Sequence, residues 1–196
     1  MLCDCYTTIF KTNEKAIITM NKNDEIKKLI LSAIFLAIGF VLPMFFGQIP
    51  AIGQVLLPMH IPVFLCGIIC DWKYGAIIGF ILPLIRSLIF SVPVLYPTAI
   101  AVAFEMAVYG LISGLVYKFF TKKTLLSIYV ALIFAMVIGR IIRFIAESTL
   151  LGFQGKTLVL KAFFANVIIS GIPGIMLHLV LIPLVITTLK KAKIKF

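Results

Sequence analysis

Long apolar runs alternate with short polar or breaker-rich segments from Lys27 to the end of the chain. A bilayer crossing takes about 20 predominantly apolar residues, and the first run predicts such a helix from Lys27 to Phe46. The connection after it carries Gly47, Pro50, Gly53 and Pro58, so it reads as a structured apolar loop or cap. The second helix, Pro58 to Cys70, is short for a full crossing, and Asp71-Trp72-Lys73 follows as a tight polar turn. The third runs from Tyr74 to Phe90 with a bend expected near Pro83. Ser91 to Pro97 is a proline-flanked turn; helix four runs from Pro97 to Phe120 and helix five from Leu125 to Leu150. Residues 151–161 form a polar loop, and helix six covers Ala162 to Leu189, with helix breakers at Gly171, Pro173 and Gly174. The pattern predicts an all-α membrane protein, a six-transmembrane-helix bundle. Helices one to three and four to six match neither in length nor in breaker position, so no inverted repeat of the secondary-carrier kind is read.

Composition supports lipid as the outer solvent. The chain has 196 residues, 62% of them hydrophobic, and a mean hydropathy of +1.18. Soluble domains run near 45–50% apolar. The length suits one domain. Residues 1–22 are mixed and polar, without the apolar centre and cleavage site of a signal peptide. They read as an N-terminal extension, disordered or the product of a start upstream of Met20. Residues 23–196 read as a single six-helix membrane domain.

The net charge of +11 does not point to nucleic acid, because no aromatic-basic groove pattern accompanies the lysines. They cluster between apolar runs instead. Lys22, Lys27 and Lys28 precede helix one, Lys73 separates two and three, Lys118, Lys122 and Lys123 separate four and five, and Lys190, Lys191, Lys193 and Lys195 end the chain. The opposite loops hold Lys156 and Lys161. This asymmetry predicts a multi-pass protein of the cell membrane with both termini cytoplasmic.

Ionised side chains in hydrocarbon cost several kcal/mol unless paired or hydrated, so they mark function. Arg86 lies on helix three, Glu105 on helix four, and Arg140, Arg143 and Glu147 on one face of helix five. With Asn166, His60 and Tyr96 they form the candidate binding set, all in the outer layer. The inner halves are apolar with small residues, such as Gly75 and Gly79 or Gly110 and Gly114, which let helices pack closely. Polar groups on one side only describe a pocket open outward rather than a pore. Three arginines face two acids there. Pairing Arg143 with Glu147 and another arginine with Glu105 leaves one cation for an anionic solute, ideally a carboxylate held by a bidentate fork. Structural ion pairing with a snorkelling arginine is the plain alternative.

Other candidates carry less. Cys66 and Cys70, one turn apart, read as small core or lipid-facing side chains, and no metal site is expected. His178 reads as a packing residue in the inner half of helix six. Gly155-Lys156-Thr157 lacks the glycine a phosphate-binding loop needs five residues earlier, where Leu150 stands. No catalytic grouping is found, and no cofactor is expected.

Helix one contains Leu31-Ser32-Ala33-Ile34-Phe35-Leu36-Ala37, with Ala33 and Ala37 one turn apart. That element, together with Leu57-Pro58-Met59-His60-Ile61-Pro62, Gly75-Ala76-Ile77-Ile78-Gly79-Phe80 and Leu95-Tyr96-Pro97-Thr98-Ala99, resembles the substrate-binding subunits of energy-coupling factor transporters over Asn23 to Lys191. The resemblance implies a six-helix bundle that binds a vitamin or similar micronutrient and hydrolyses no ATP itself. It implies as partners a coupling transmembrane subunit, docked on Ala33 and Ala37, and two ATPase subunits. The loop between helices one and two would be an outer lid. A small carboxylate such as pantothenate suits the surplus cation best, with nicotinate or biotin next. Trp72 sits at the cytoplasmic turn, so ring stacking on a bound vitamin would fall to Tyr96 or the phenylalanines. The competing readings are a self-sufficient secondary transporter of a small anionic solute and an intramembrane enzyme using Glu105, His60 or His178.

Overall fold

A computed structural model of the chain describes residues 23–44, 59–121, 124–153, 155 and 172–191. The N-terminal extension, the lid loop, the first part of helix six and Asn166 lie outside the described residues. So do Lys22, Lys122, Lys123, Lys156, Lys161, Lys193 and Lys195. The described residues form six α-helices: α1 (Asn23–Met44), α2 (His60–Ile69), α3 (Trp72–Phe90), α4 (Ile100–Phe119), α5 (Leu125–Gly152) and α6 (Ile172–Lys191). No strand occurs among them.

Five of the helices are long and apolar enough to cross a membrane. α2 is not: its 10 residues rise about 15 Å, half a hydrocarbon core. It is enclosed instead, with nine of those residues buried. The long helices expose apolar side chains such as Ile77 on α3, Phe134 and Val137 on α5, and Met176 and Val180 on α6. Water would not tolerate so much exposed apolar surface on a monomer; acyl chains would.

Glycines set how closely the central helices approach. A Cβ on Gly110 of α4 would collide with the backbone of Gly75 on α3, and one on Gly79 with the carbonyl of Met106. α3 and α4 therefore lie backbone against backbone in a fixed antiparallel register. Gly67 brings α2 into the same junction, against Gly110 O and Ser113. α5 packs on the other side of α4, where Gly139 leaves room for the ring of Tyr109. α3 runs continuously through the buried Pro83, since a helix in a bundle can satisfy the freed carbonyl through its neighbours.

The end of the bundle that carries the lysines is stapled by polar contacts. Asp71 caps α3 by accepting the Trp72 N–H at 2.8 Å, and Lys118 at the end of α4 reaches the same carboxylate at 3.7 Å. Cys66 and Cys70 are buried free thiols, and Cys66 Sγ donates to Ser32 Oγ of α1 at 3.5 Å. At the other end, α3 and α4 are joined by a wide turn, Leu95–Ala99, in which Tyr96 is extended (φ −122°, ψ 130°). Tyr96 is the non-helical residue of that segment and Ala99 already has helical angles (φ −64°, ψ −36°), so the expected start of α4 at Pro97 lies within one turn of Ile100.

Candidate functional site

Glu105 sits in the second turn of α4, at the end of the bundle away from Lys118. Its side chain is 0% exposed. α5 runs antiparallel beside it and presents Arg140, Arg143 and Glu147 at three- and four-residue spacing, on one face. Arg143 Nη1 donates to Glu105 Oε2 at 3.0 Å, and Arg143 Nε to Glu147 Oε2 at 3.5 Å. Arg140 Nε lies 3.5 Å from Glu105 Oε1. The two expected pairings are both present, and one that the sequence did not reveal is added: Arg143 reaches across to α4 as well as along α5. The two arginines remain 14% and 13% exposed and Glu147 17%. Glu105 is thus the buried anchor, and the residual accessibility belongs to the α5 side chains.

A ring cluster supports that anchor. Tyr109, one turn below Glu105, donates its Oη to Glu105 Oε1 at 2.5 Å. Its ring stacks on Phe64 at 4.9 Å between centroids and meets His60 at 5.5 Å. His60 lies 5.8 Å from His178, and Phe64 6.0 Å from His178. His60 therefore belongs to this layer, as expected. His178 does too, which corrects its assignment to the inner half. Tyr109 was missed because it reads as one more apolar-run residue, although its four-residue spacing from Glu105 is the signal that finds it.

Arg86 and Tyr96 stand apart from the anchor. The register that pairs Gly79 with Met106 sets Arg86 level with Ala99, about 9 Å from the Glu105 level toward the α3–α4 connection at 1.5 Å per residue. Arg86 Nε donates to Val92 O in the turn at 3.3 Å. Tyr96 Oη donates to Leu150 O at 2.5 Å, which ties the α3–α4 turn to the end of α5. Asn166 is outside the described residues.

A family model described as ECF transporter, substrate-specific component, matches residues 27–186. The chain belongs to that family. No curated protein and no solved structure matches it. As a substrate-specific component it is a membrane-embedded part of an uptake transporter, with a small-molecule substrate and an energy-coupling module as its partner. Members are transporter components rather than enzymes. Among the described residues no group of three or more His, Cys, Asp or Glu is placed to hold a metal ion.

The second feature of this substrate-specific component is an apolar groove of about 320 Å³ between α1 and α3. Ala33, Leu36, Ala37, Phe40 and Val41 form one wall and Leu82 and Ile85 the other. Ala33 and Ala37 are exposed along it, so the helix backbone itself lies close to the groove floor.

Proposed function

We propose that this substrate-specific component captures a vitamin or related micronutrient outside the cell and delivers it to the energy-coupling module for ATP-driven import. The observation that carries the reading is Glu105. A fully buried carboxylate holds two arginines that stay partly accessible, in the half of the bundle opposite the lysines. Such a group is stable only when paired, and the paired set gives a solute fixed donors in a low-dielectric site.

The topology in this reading has six crossings, the second of them short, and both termini in the cytoplasm. Lys27 and Lys28, Lys73, Lys118, and Lys190 and Lys191 support it, since all lie at the same end of their helices' alternating course. Cysteines placed at Val92 in a chain lacking Cys3 and Cys5 should then react with an impermeant thiol reagent in intact cells, and cysteines placed at Lys118 should not.

A small carboxylate such as pantothenate is the substrate we favour. This half of the bundle carries three arginines, Arg86 nearer its end than Arg140 and Arg143, against two acids, and no Asp or Glu occurs in residues 45–58 or 154–171 to balance the third. The module would comprise one coupling membrane subunit and two ATPases, with the first docked on Ala33 and Ala37. Mass spectrometry of small molecules that copurify with the chain tests the substrate. A carboxylate vitamin is expected, with uptake only when the module is coexpressed. Gradient-driven uptake by the chain alone would contradict the reading and favour a secondary carrier.

A further inference from the structure

The three arginines are not equivalent. Arg143 is divided between two acids, with Nη1 on Glu105 and Nε on Glu147. Arg86 spends its Nε on a turn carbonyl and lies toward the α3–α4 connection from the anchor. Arg140 meets one acid only, at 3.5 Å, and that carboxylate is already shared with Arg143 and Tyr109. Arg140 Nε is sealed from solvent and makes no hydrogen bond. Its Nη1 and Nη2 donate none among the described residues. Arg140 is therefore the less hydrogen-bonded of the two α5 arginines, with Nη1 and Nη2 left over beside its ion pair with Glu105. Guanidinium N–H groups left unfilled in a poorly hydrated layer are costly, and a carboxylate taken in bidentate fashion offsets that cost.

Tyr109 explains why Arg140 stays in this state. Its hydroxyl occupies Glu105 Oε1, the same oxygen that faces Arg140 Nε. That bond fixes the carboxylate plane and draws negative charge away from the oxygen nearest Arg140. The Tyr109 ring also fills the space beside Gly139, the residue that precedes Arg140. One side chain thus sets both the countercharge and the backbone from which Arg140 projects.

We infer that Arg140 takes the carboxylate of the solute through its terminal nitrogens, that Arg143 is a strut between α4 and α5, and that Tyr109 is a positioning residue acting through Glu105. This assignment rests on the reading that the solute is a small carboxylate.

The test is a set of binding titrations on the purified chain in lipid nanodiscs. Pantothenate, nicotinate and biotin serve as probes, each beside its neutral primary amide. The wild-type chain is expected to prefer one acid over its amide. Arg140→Ala should weaken that acid about tenfold or more, the scale of a lost charged hydrogen bond, and leave the amide within about threefold. Arg140→Lys keeps the charge without the fork and should recover only part of the preference. Tyr109→Phe keeps the ring and should cut the acid-to-amide preference about threefold or more with the amide affinity unchanged. Equal losses for acid and amide in either Arg140→Ala or Tyr109→Phe would mark the residue as merely structural and overturn its assigned role. If Arg140→Ala does not yield folded protein, the acid-to-amide ratio of Arg140→Lys decides, and an unchanged ratio overturns the assignment. A wild-type chain that binds none of the three acids overturns the carboxylate reading and this inference with it. A wild-type preference that survives intact in Arg140→Ala overturns the Arg140 assignment alone.

Discussion

Arg143 of α5 donates to Glu105 of α4 at 3.0 Å, and Glu105 is fully shut off from solvent. The pair joins the two helices in the layer where the arginines remain partly accessible. A charge so placed is held by its partners and not by water. Its removal should be felt in the fold before it is felt in binding.

Glu105→Gln leaves Arg140 and Arg143 without their shared anion. Breaking a buried pair from one side costs about 3–5 kcal/mol. The purified variant should therefore melt at a clearly lower temperature than the wild type in the same detergent. Replacing Arg143 with Met in the Glu105→Gln background should cost much less than the sum of the two single changes. Additive losses would show that the two groups are not coupled.

The glycine junction makes a sharper prediction. Gly110→Ala places a methyl group into the backbone of Gly75, and neither helix can yield without moving the other. A loss of about 1–3 kcal/mol follows from such overpacking, read as lower thermal stability and poorer yield of monodisperse protein. Gly152→Ala is the control, because a Cβ there meets nothing within 4 Å; its stability should stay within about 0.5 kcal/mol of wild type.

These helices were legible in the sequence because the hydropathy alternation is strong and Asp71, Pro97 and the lysines punctuate it. Depth was less legible. The backbone contact of Gly79 with Met106 fixes the α3–α4 register and separates Arg86 from Glu105 by more than a helical turn, a distance that hydropathy alone does not give. His178 read as an inner-half residue, whereas its ring contacts with His60 and Phe64 put it in the anchor layer. Tyr109 looked like core until its hydroxyl was seen on Glu105. The double use of Arg143 was hidden because Glu147 already gave it a partner four residues away on its own helix.

The groove beside Ala33 and Ala37 yields a prediction that separates docking from capture. Trp at both positions fills a site of about 320 Å³ on the outside of the bundle. Transport in cells that carry the coupling module should be abolished, while the affinity of the isolated chain for its solute should change by less than about twofold. Lost affinity, or transport that survives, would remove the docking role.

The most direct measurement is a structure of the chain with its copurified solute bound. The account predicts the solute within hydrogen-bond distance of Arg140, in the half of the bundle away from Lys118 and Lys190. A solute seated elsewhere, with the Glu105 anchor closed on itself and no contact to the α5 arginines, would contradict it.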